Sequence, residues 1–237
     1  MAFDLIPQVI AEVRPYTMVP DDGLATTIEL TLEAINAGIP GDLVECGTWM
    51  GGCSFAMLLA QRYQYGAIQR PVWMYDSFQG MSPPSPEDGY HARWWMERAQ
   101  KMTADGEADP DGTNFVTADH IQVRENIRTL DLKDHVIVIP GWLADTLPKH
   151  KPEAIAVLRV DCDWYDPCMC VYRELEPLCS VGAPIIIDDY DAWEGCRLAT
   201  HAYLTKKALP WKIRSAPGSH GAWMIKEAPH VIDREAA

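Results

Sequence analysis

The chain has 237 residues, 48% of them hydrophobic and 23% charged, which fits a folded protein able to bury a core without disulfides or a structural metal. Its 20 Lys and Arg against 34 Asp and Glu give a formal net charge of -14, so polyanions are repelled and nucleic acid is excluded as an expected partner. Seven cysteines, an odd number, predict reduced thiols and no disulfide framework. The N-terminal stretch has no basic leader before a continuous apolar segment, and no apolar run reaches about 18 residues. A cytoplasmic protein without a membrane partner is expected.

Helical periodicity predicts a first helix over Phe3 to Val13 and a second over Leu24 to Ala37, capped by Asp22 and stopped at Gly38-Ile39-Pro40-Gly41. Leu43 to Cys46 then reads as a strand, followed by a glycine-rich turn and a helix from Phe55 to Tyr65. A second strand, Val72 to Tyr75, runs into Asp76-Ser77. Residues 80–112 interrupt the alternation and are read as a lid insertion over the sheet edge, with a helix near His91 to Met102. Further on come a helix Asp119 to Leu130, strands Val136 to Ile139 and Ile155 to Val160, and a helix Pro167 to Leu178. Pro184 to Ile187 is a strand, Gly195 to Leu204 a helix, and Trp211 to Arg214 with Ala222 to Lys226 a closing antiparallel hairpin. Apolar strands alternating with helices predict one α/β domain over residues 1–237, with N-terminal helices in 1–40 and a doubly wound, mostly parallel sheet of seven strands.

In such a sheet, ligands collect beyond the carboxyl ends of strands, and these ends are acidic. Glu45-Cys46-Gly47-Thr48-Trp49-Met50-Gly51-Gly52 offers a tight turn and free helix-start amides, but neither GxGxxG nor a P-loop lysine. Glu45 beside it disfavours pyrophosphate and suits an ammonium or sulfonium centre. Asp76, with Ser77, stands where a carboxylate accepts bonds from a ribose diol.

The third signal is Arg159-Val160-Asp161-Cys162-Asp163, matched later by Ile187-Asp188-Asp189-Tyr190. Asp161 and Asp163 point the same way if the strand persists, whereas Asp188 and Asp189 need a bend to converge. Two like charges at 4 Å repel by about 4 kcal/mol at an effective dielectric near 20, a penalty that a divalent cation removes. Oxygen-only donors favour magnesium, manganese or calcium over zinc. The cysteines lack zinc-site spacing, and no GxSxG marks a hydrolase.

PGDLVECGTWMGG, DSFQG, DTLP, LRVDCDWYDP, IIIDDY and EGCRLAT, in this order, resemble the macrocin-type family of antibiotic-sugar O-methyltransferases. The likeness runs from about Leu24 to Lys226. It implies a class I methyltransferase sheet, S-adenosylmethionine and magnesium (Mg2+) as cofactors, and a homo-oligomer. By position it implies that Glu45, Gly47 and Thr48 form the cofactor loop, with Glu45 near the methionine portion. Asp76 and Ser77 would lie at the ribose, and Asp119 beside the adenine. Asp161 would be both metal ligand and base, with Asp188 and Asp189 the other metal carboxylates and Asp163 a less direct participant. Met50 stands where the family usually has a basic residue, and Cys162 where it has glycine.

The expected reaction is magnesium-dependent methyl transfer to a hydroxyl of a sugar or cyclitol moiety in a small natural product, with a vicinal diol as the favoured acceptor. His91, Trp94 and Trp95 are candidates to cover the acceptor, or simply to pack the lid. Tyr165 and Tyr190 are candidates to orient carboxylates, or equally to pack in the core. A catechol or other phenolic acceptor is the alternative within the class, and a noncatalytic cofactor-binding regulator the alternative outside it.

Overall fold

A computed structural model describes residues 5–104 and 116–228. Two helices open the chain, α1 (Leu5–Val13) and α2 (Asp21–Asn36). Residues 3 and 4 of the expected first helix lie outside the described residues. Asp22 does not cap α2: Pro20 holds that position, and Asp21 and Asp22 fall in the first turn, where their charge favours the helix dipole. Gly38, with φ +67°, lets the chain leave α2.

The central elements are β1 (Asp42–Cys46), α3 (Gly52–Tyr65), β2 (Val72–Asp76), α4 (Gly89–Ala104), α5 (His120–Thr129), β3 (Val136–Pro140) and the one-turn α6 (Leu143–Thr146). They are followed by β4 (Ile155–Val160), α7 (Tyr165–Leu175), β5 (Pro184–Ile187), α8 (Glu194–Lys207), β6 (Arg214–Ser215) and β7 (Ala222–Ile225). The sheet order is β3-β2-β1-β4-β5-β7-β6. The first five strands are parallel, while β7 runs antiparallel to β5 and pairs with β6, the expected terminal hairpin, although its first strand is only Arg214–Ser215 and not Trp211 to Arg214. The hairpin's second strand is the inner one.

Side chains alternate across the sheet and build two cores. Leu43 and Val157 join Val13, Leu24, Ile28, Phe55 and Leu58 under α1–α3. Val44, Cys46, Leu158 and Val160 join Cys168, Tyr172, Cys196 and Tyr203 under α7 and α8. The same alternation places Glu45 and its register partner Arg159 on the α1–α3 side, where both are buried.

The insertion after β2 forms α4, longer than expected, preceded by a 3-10 turn at Pro86–Asp88. Ala92 and Met96 of α4 pack with Trp164, which follows β4, and with Trp193, which precedes α8. Residues 105–112 of the expected insertion lie outside the described residues. No helix among the described residues is long and apolar enough to cross a membrane.

Candidate active site

Strand order reverses between β1 and β4, and a cavity of about 570 Å³ opens beyond their carboxyl ends, at the position the doubly wound topology dictates. One side of it is the loop after β1. Gly47 has φ +84°, and a Cβ there would lie 1.6 Å from the Asp161 carbonyl oxygen, so only glycine fits. Asp76 organises the loop from β2: its Oδ2 accepts from the backbone N–H groups of Thr48 and Trp49, both at 2.8 Å, and its Oδ1 from that of Phe78 at 2.7 Å. Burial raises the Asp76 carboxyl, and these three N–H groups oppose the rise. Ser77 shapes the next turn, donating to the Gly80 carbonyl and accepting from Gln79 N–H. Glu45, Gly47, Thr48, Asp76 and Ser77 all line the cavity, and Thr48 Oγ1 is buried without a hydrogen-bond partner. Met50 packs against the α1–α3 core.

Glu45 is less available than its position in the sequence suggests. Its Oε1 accepts from Arg159 Nη1 at 2.9 Å and its Oε2 from the Ser54 hydroxyl at 2.5 Å. Burial pushes its carboxyl up to about 7 against the opposing pull of Arg159. Neither Arg159 nor Ser54 was a candidate from sequence, although LRVDCD contains the arginine; the apolar neighbours of Arg159 in β4 conceal a buried charge.

Asp119 does not border the cavity. It is the N-cap of α5, accepting from Ile121 N–H at 2.8 Å, and the wall nearest that end is formed by Val116, Trp142 and Leu143. The serine, threonine, aspartate or asparagine that starts a helix has a local use for its oxygen, and that use takes precedence here.

The acidic floor differs from expectation in its membership. β4 ends at Val160, so Asp161 and Asp163 do not share a strand face; Asp163 adopts φ +56° instead. That turn brings it to Asp161 and Asp189, and the three offer carboxylate oxygens that all lie within 4.8 Å of one another. The Asp163 backbone N–H also reaches Asp189 Oδ2 at 3.3 Å. Asp188 lies outside this triplet and pairs with Arg159 Nη2. Burial pushes the Asp163 carboxyl up to about 8, with Asp161 and Asp188 adding to it. The Asp189 carboxyl is driven well above the ordinary range by burial and then by Asp163. Asp188 rises only to about 6, because Arg159 opposes its burial. A half-buried, oxygen-only triplet of like charges suits a hard divalent cation.

The aromatic candidates do not reach the cavity. His91 lies 5.0 Å from the Trp193 ring and stacks on Trp94, while Trp95 meets Trp164 and Trp193 edge-on. His91 and Trp95 pack the lid to the body, Trp94 is exposed and contacts His91 and Arg98 of its own helix, and within this aromatic cluster the indole that lines the cavity is Trp164, held by its Nε1–H on the Ser82 carbonyl at 2.8 Å. Tyr165 uses its backbone N–H on Asp88 Oδ1, and the Tyr190 hydroxyl sits 2.7 Å from His201 Nε2 in a separate groove. Neither tyrosine orients a carboxylate of the floor. Cys162 lines the cavity and directs its thiol to the Cys46 carbonyl at 3.3 Å.

Residues 11–223 match the family described as Macrocin-O-methyltransferase (TylF). The demethyldecarbamoylnovobiocin O-methyltransferase of Streptomyces niveus is 34% identical over 194 residues, 81% of this chain and 68% of that protein. The 8-demethyl-8-(2,3-dimethoxy-alpha-L-rhamnosyl)-tetracenomycin-C 4'-O-methyltransferase of Streptomyces olivaceus is 37% identical over 188 residues, 78% of this chain and 66% of that one. The chain thus spans about two thirds of the length of these relatives. Among solved structures, that of the O-methyltransferase NovP superposes with a TM-score of 0.74 at 30% identity, covering 90% of this chain and 83% of NovP. With that match over most of its length, the chain belongs to the macrocin O-methyltransferase family and is an O-methyltransferase.

Proposed function

We propose that the protein methylates a hydroxyl of a sugar or cyclitol moiety in a small natural product, with S-adenosylmethionine as donor and magnesium held by Asp161, Asp163 and Asp189. The observation that carries this reading is the meeting of those three carboxylates at the switch point, beside the loop that Gly47 and Asp76 shape. The names of the relatives, which include a methyltransferase for a rhamnosyl tetracenomycin, support a glycosylated acceptor.

When bound, the donor supplies a methyl group on a sulfonium centre, and the cation lowers the hold of the acceptor hydroxyl on its proton. Thr48, with its free buried hydroxyl and the helix-start amides beyond it, suits the polar end of the donor. The apolar wall of Val116, Trp142 and Leu143 suits a flat base. Asp76 lines the same cavity, and its carboxylate can be shared with a ribose hydroxyl.

The two roles that the resemblance gives Asp161 divide between neighbours. Asp161 already accepts from Arg159 Nη1, which uses one of its oxygens. Arg159 bonds Glu45, Asp161 and Asp188 and not Asp163, so Asp163 is assigned to accept the acceptor's proton. Trp164 forms an apolar wall on the acceptor side and helps exclude water.

A labelled-methyl transfer assay across glycosylated, cyclitol and catechol acceptors, with magnesium or with chelator, tests this reading. Turnover of a sugar or cyclitol acceptor that chelation abolishes is expected. Turnover confined to catechols, or undiminished after chelation, overturns it.

A further inference from the structure

Arg159 sits at the centre of the acidic floor with no exposed side-chain surface. Its partners come from three segments of the chain: Glu45 from β1, Asp161 from the exit of β4 and Asp188 from the exit of β5. Nη1 serves both Glu45 and Asp161, Nη2 serves Asp188, and Nε has no hydrogen-bond partner. A buried ion pair is by itself a weak source of stability, because desolvation offsets most of the attraction, so stability alone is a poor reason for a guanidinium in an otherwise apolar strand.

Shape gives a better one. A guanidinium is a rigid planar fork, and carboxylates bonded to its different nitrogens are fixed relative to one another as well as to the arginine. An ammonium supplies the same charge without that plane. Asp163 and Asp189 have no bond to Arg159, but each lies within two residues of an acid that does, Asp161 and Asp188 respectively.

We infer that Arg159 is a positioning residue: by fixing Asp161 and Asp188 on one fork, it aims Asp161, Asp163 and Asp189 at a common point ready for a divalent cation. This rests on the cation reading proposed above. Arg159 touches neither the cation nor the substrate and acts only through the acids it holds.

The test is the affinity of folded protein for Mn2+, read as free Mn2+ by electron paramagnetic resonance, with folding checked by circular dichroism. Arg159→Lys keeps the charge and removes the fork, and it is expected to weaken Mn2+ binding at least tenfold per folded molecule. A purely structural arginine would lower the melting temperature and leave that affinity in place, so a change below tenfold overturns the inference. Should the lysine variant fail to fold, the double variant Glu45→Gln/Arg159→Gln removes one buried charge of each sign, and the same tenfold threshold applies to it. Failure of the parent protein to bind Mn2+ would remove the cation reading itself, an outcome distinct from parental affinity in the variant.

Discussion

Gly47 and Asp161 approach so closely that a single methyl group at position 47 would overlap the Asp161 carbonyl oxygen, at 1.6 Å. The loop after β1 and the chain leaving β4 are therefore one structural unit: what fixes the loop also fixes the first acid of the floor. Gly47→Ala adds that clash to a backbone at φ +84°. It is expected to cost at least ~2 kcal/mol of stability, seen as a lowered denaturation midpoint. An unchanged midpoint would show that the two segments are free to move apart.

Asp76 anchors the same loop through three backbone N–H groups. Asp76→Asn replaces one acceptor oxygen by a donor and leaves at least one of these groups unpaired, a loss of about 1–3 kcal/mol. Calorimetric titration with S-adenosylhomocysteine should show affinity reduced at least tenfold. Binding equal to that of the parent would place the donor away from this loop.

Asp163→Asn should lower methyl transfer by roughly 100-fold or more, the range expected when a general base is lost. Affinity for S-adenosylhomocysteine should stay close to the parental value, because the substitution leaves the loop after β1 untouched. Single-turnover rates with saturating donor measure this, and a loss below tenfold would return the proton-accepting role to Asp161.

Cation-free protein should lose stability as pH rises. The Glu45 carboxyl moves from an ordinary value near 4.5 to about 7 in the fold, and that of Asp163 from 3.8 to about 8. Both hold their protons more tightly when folded, so between about pH 4 and pH 8 the native state binds more protons than the unfolded chain. Their contribution is complete below the unfolded values and disappears as pH passes 7 to 8. Melting in chelator should occur at a lower temperature at pH 8 than at pH 5.5, and magnesium should restore more of the difference at pH 8. A melting temperature that is flat or rises over this range contradicts the burial of these acids.

Trp94 and Trp164 separate lid packing from cavity lining. Trp94 is exposed, with Arg98 over its ring, so Trp94→Ala should change the acceptor KM less than twofold. Trp164→Phe removes the bond to Ser82 and reshapes the wall, and it should raise acceptor KM several-fold. Steady-state kinetics on a turned-over acceptor distinguishes the two, and equal effects would put the lid face itself on the substrate.

The strands were legible because runs such as Pro184-Ile185-Ile186-Ile187 are bounded by glycine on one side and acids on the other, and burial on both faces demands such runs. Glu45, Asp76 and Asp161 were legible for the same reason: they stand at strand ends, where the topology opens the cleft. Which acids meet was not. Whether Asp163 or Asp188 joins Asp161 and Asp189 depends on a left-handed residue after β4 and on which acid Arg159 claims, and neither follows from spacing. Asp119 caps α5, the Tyr190 hydroxyl meets His201, and Tyr165 and Tyr190 both pack on the α7–α8 core, the second of the two uses open to each tyrosine in the sequence.

The most direct test of the account is an anomalous-scattering map from crystals of the protein grown with S-adenosylhomocysteine and Mn2+. A single strong peak coordinated by oxygens of Asp161, Asp163 and Asp189 is the predicted result. Ordered carboxylates with no peak between them, or a metal bound at another position, would contradict it.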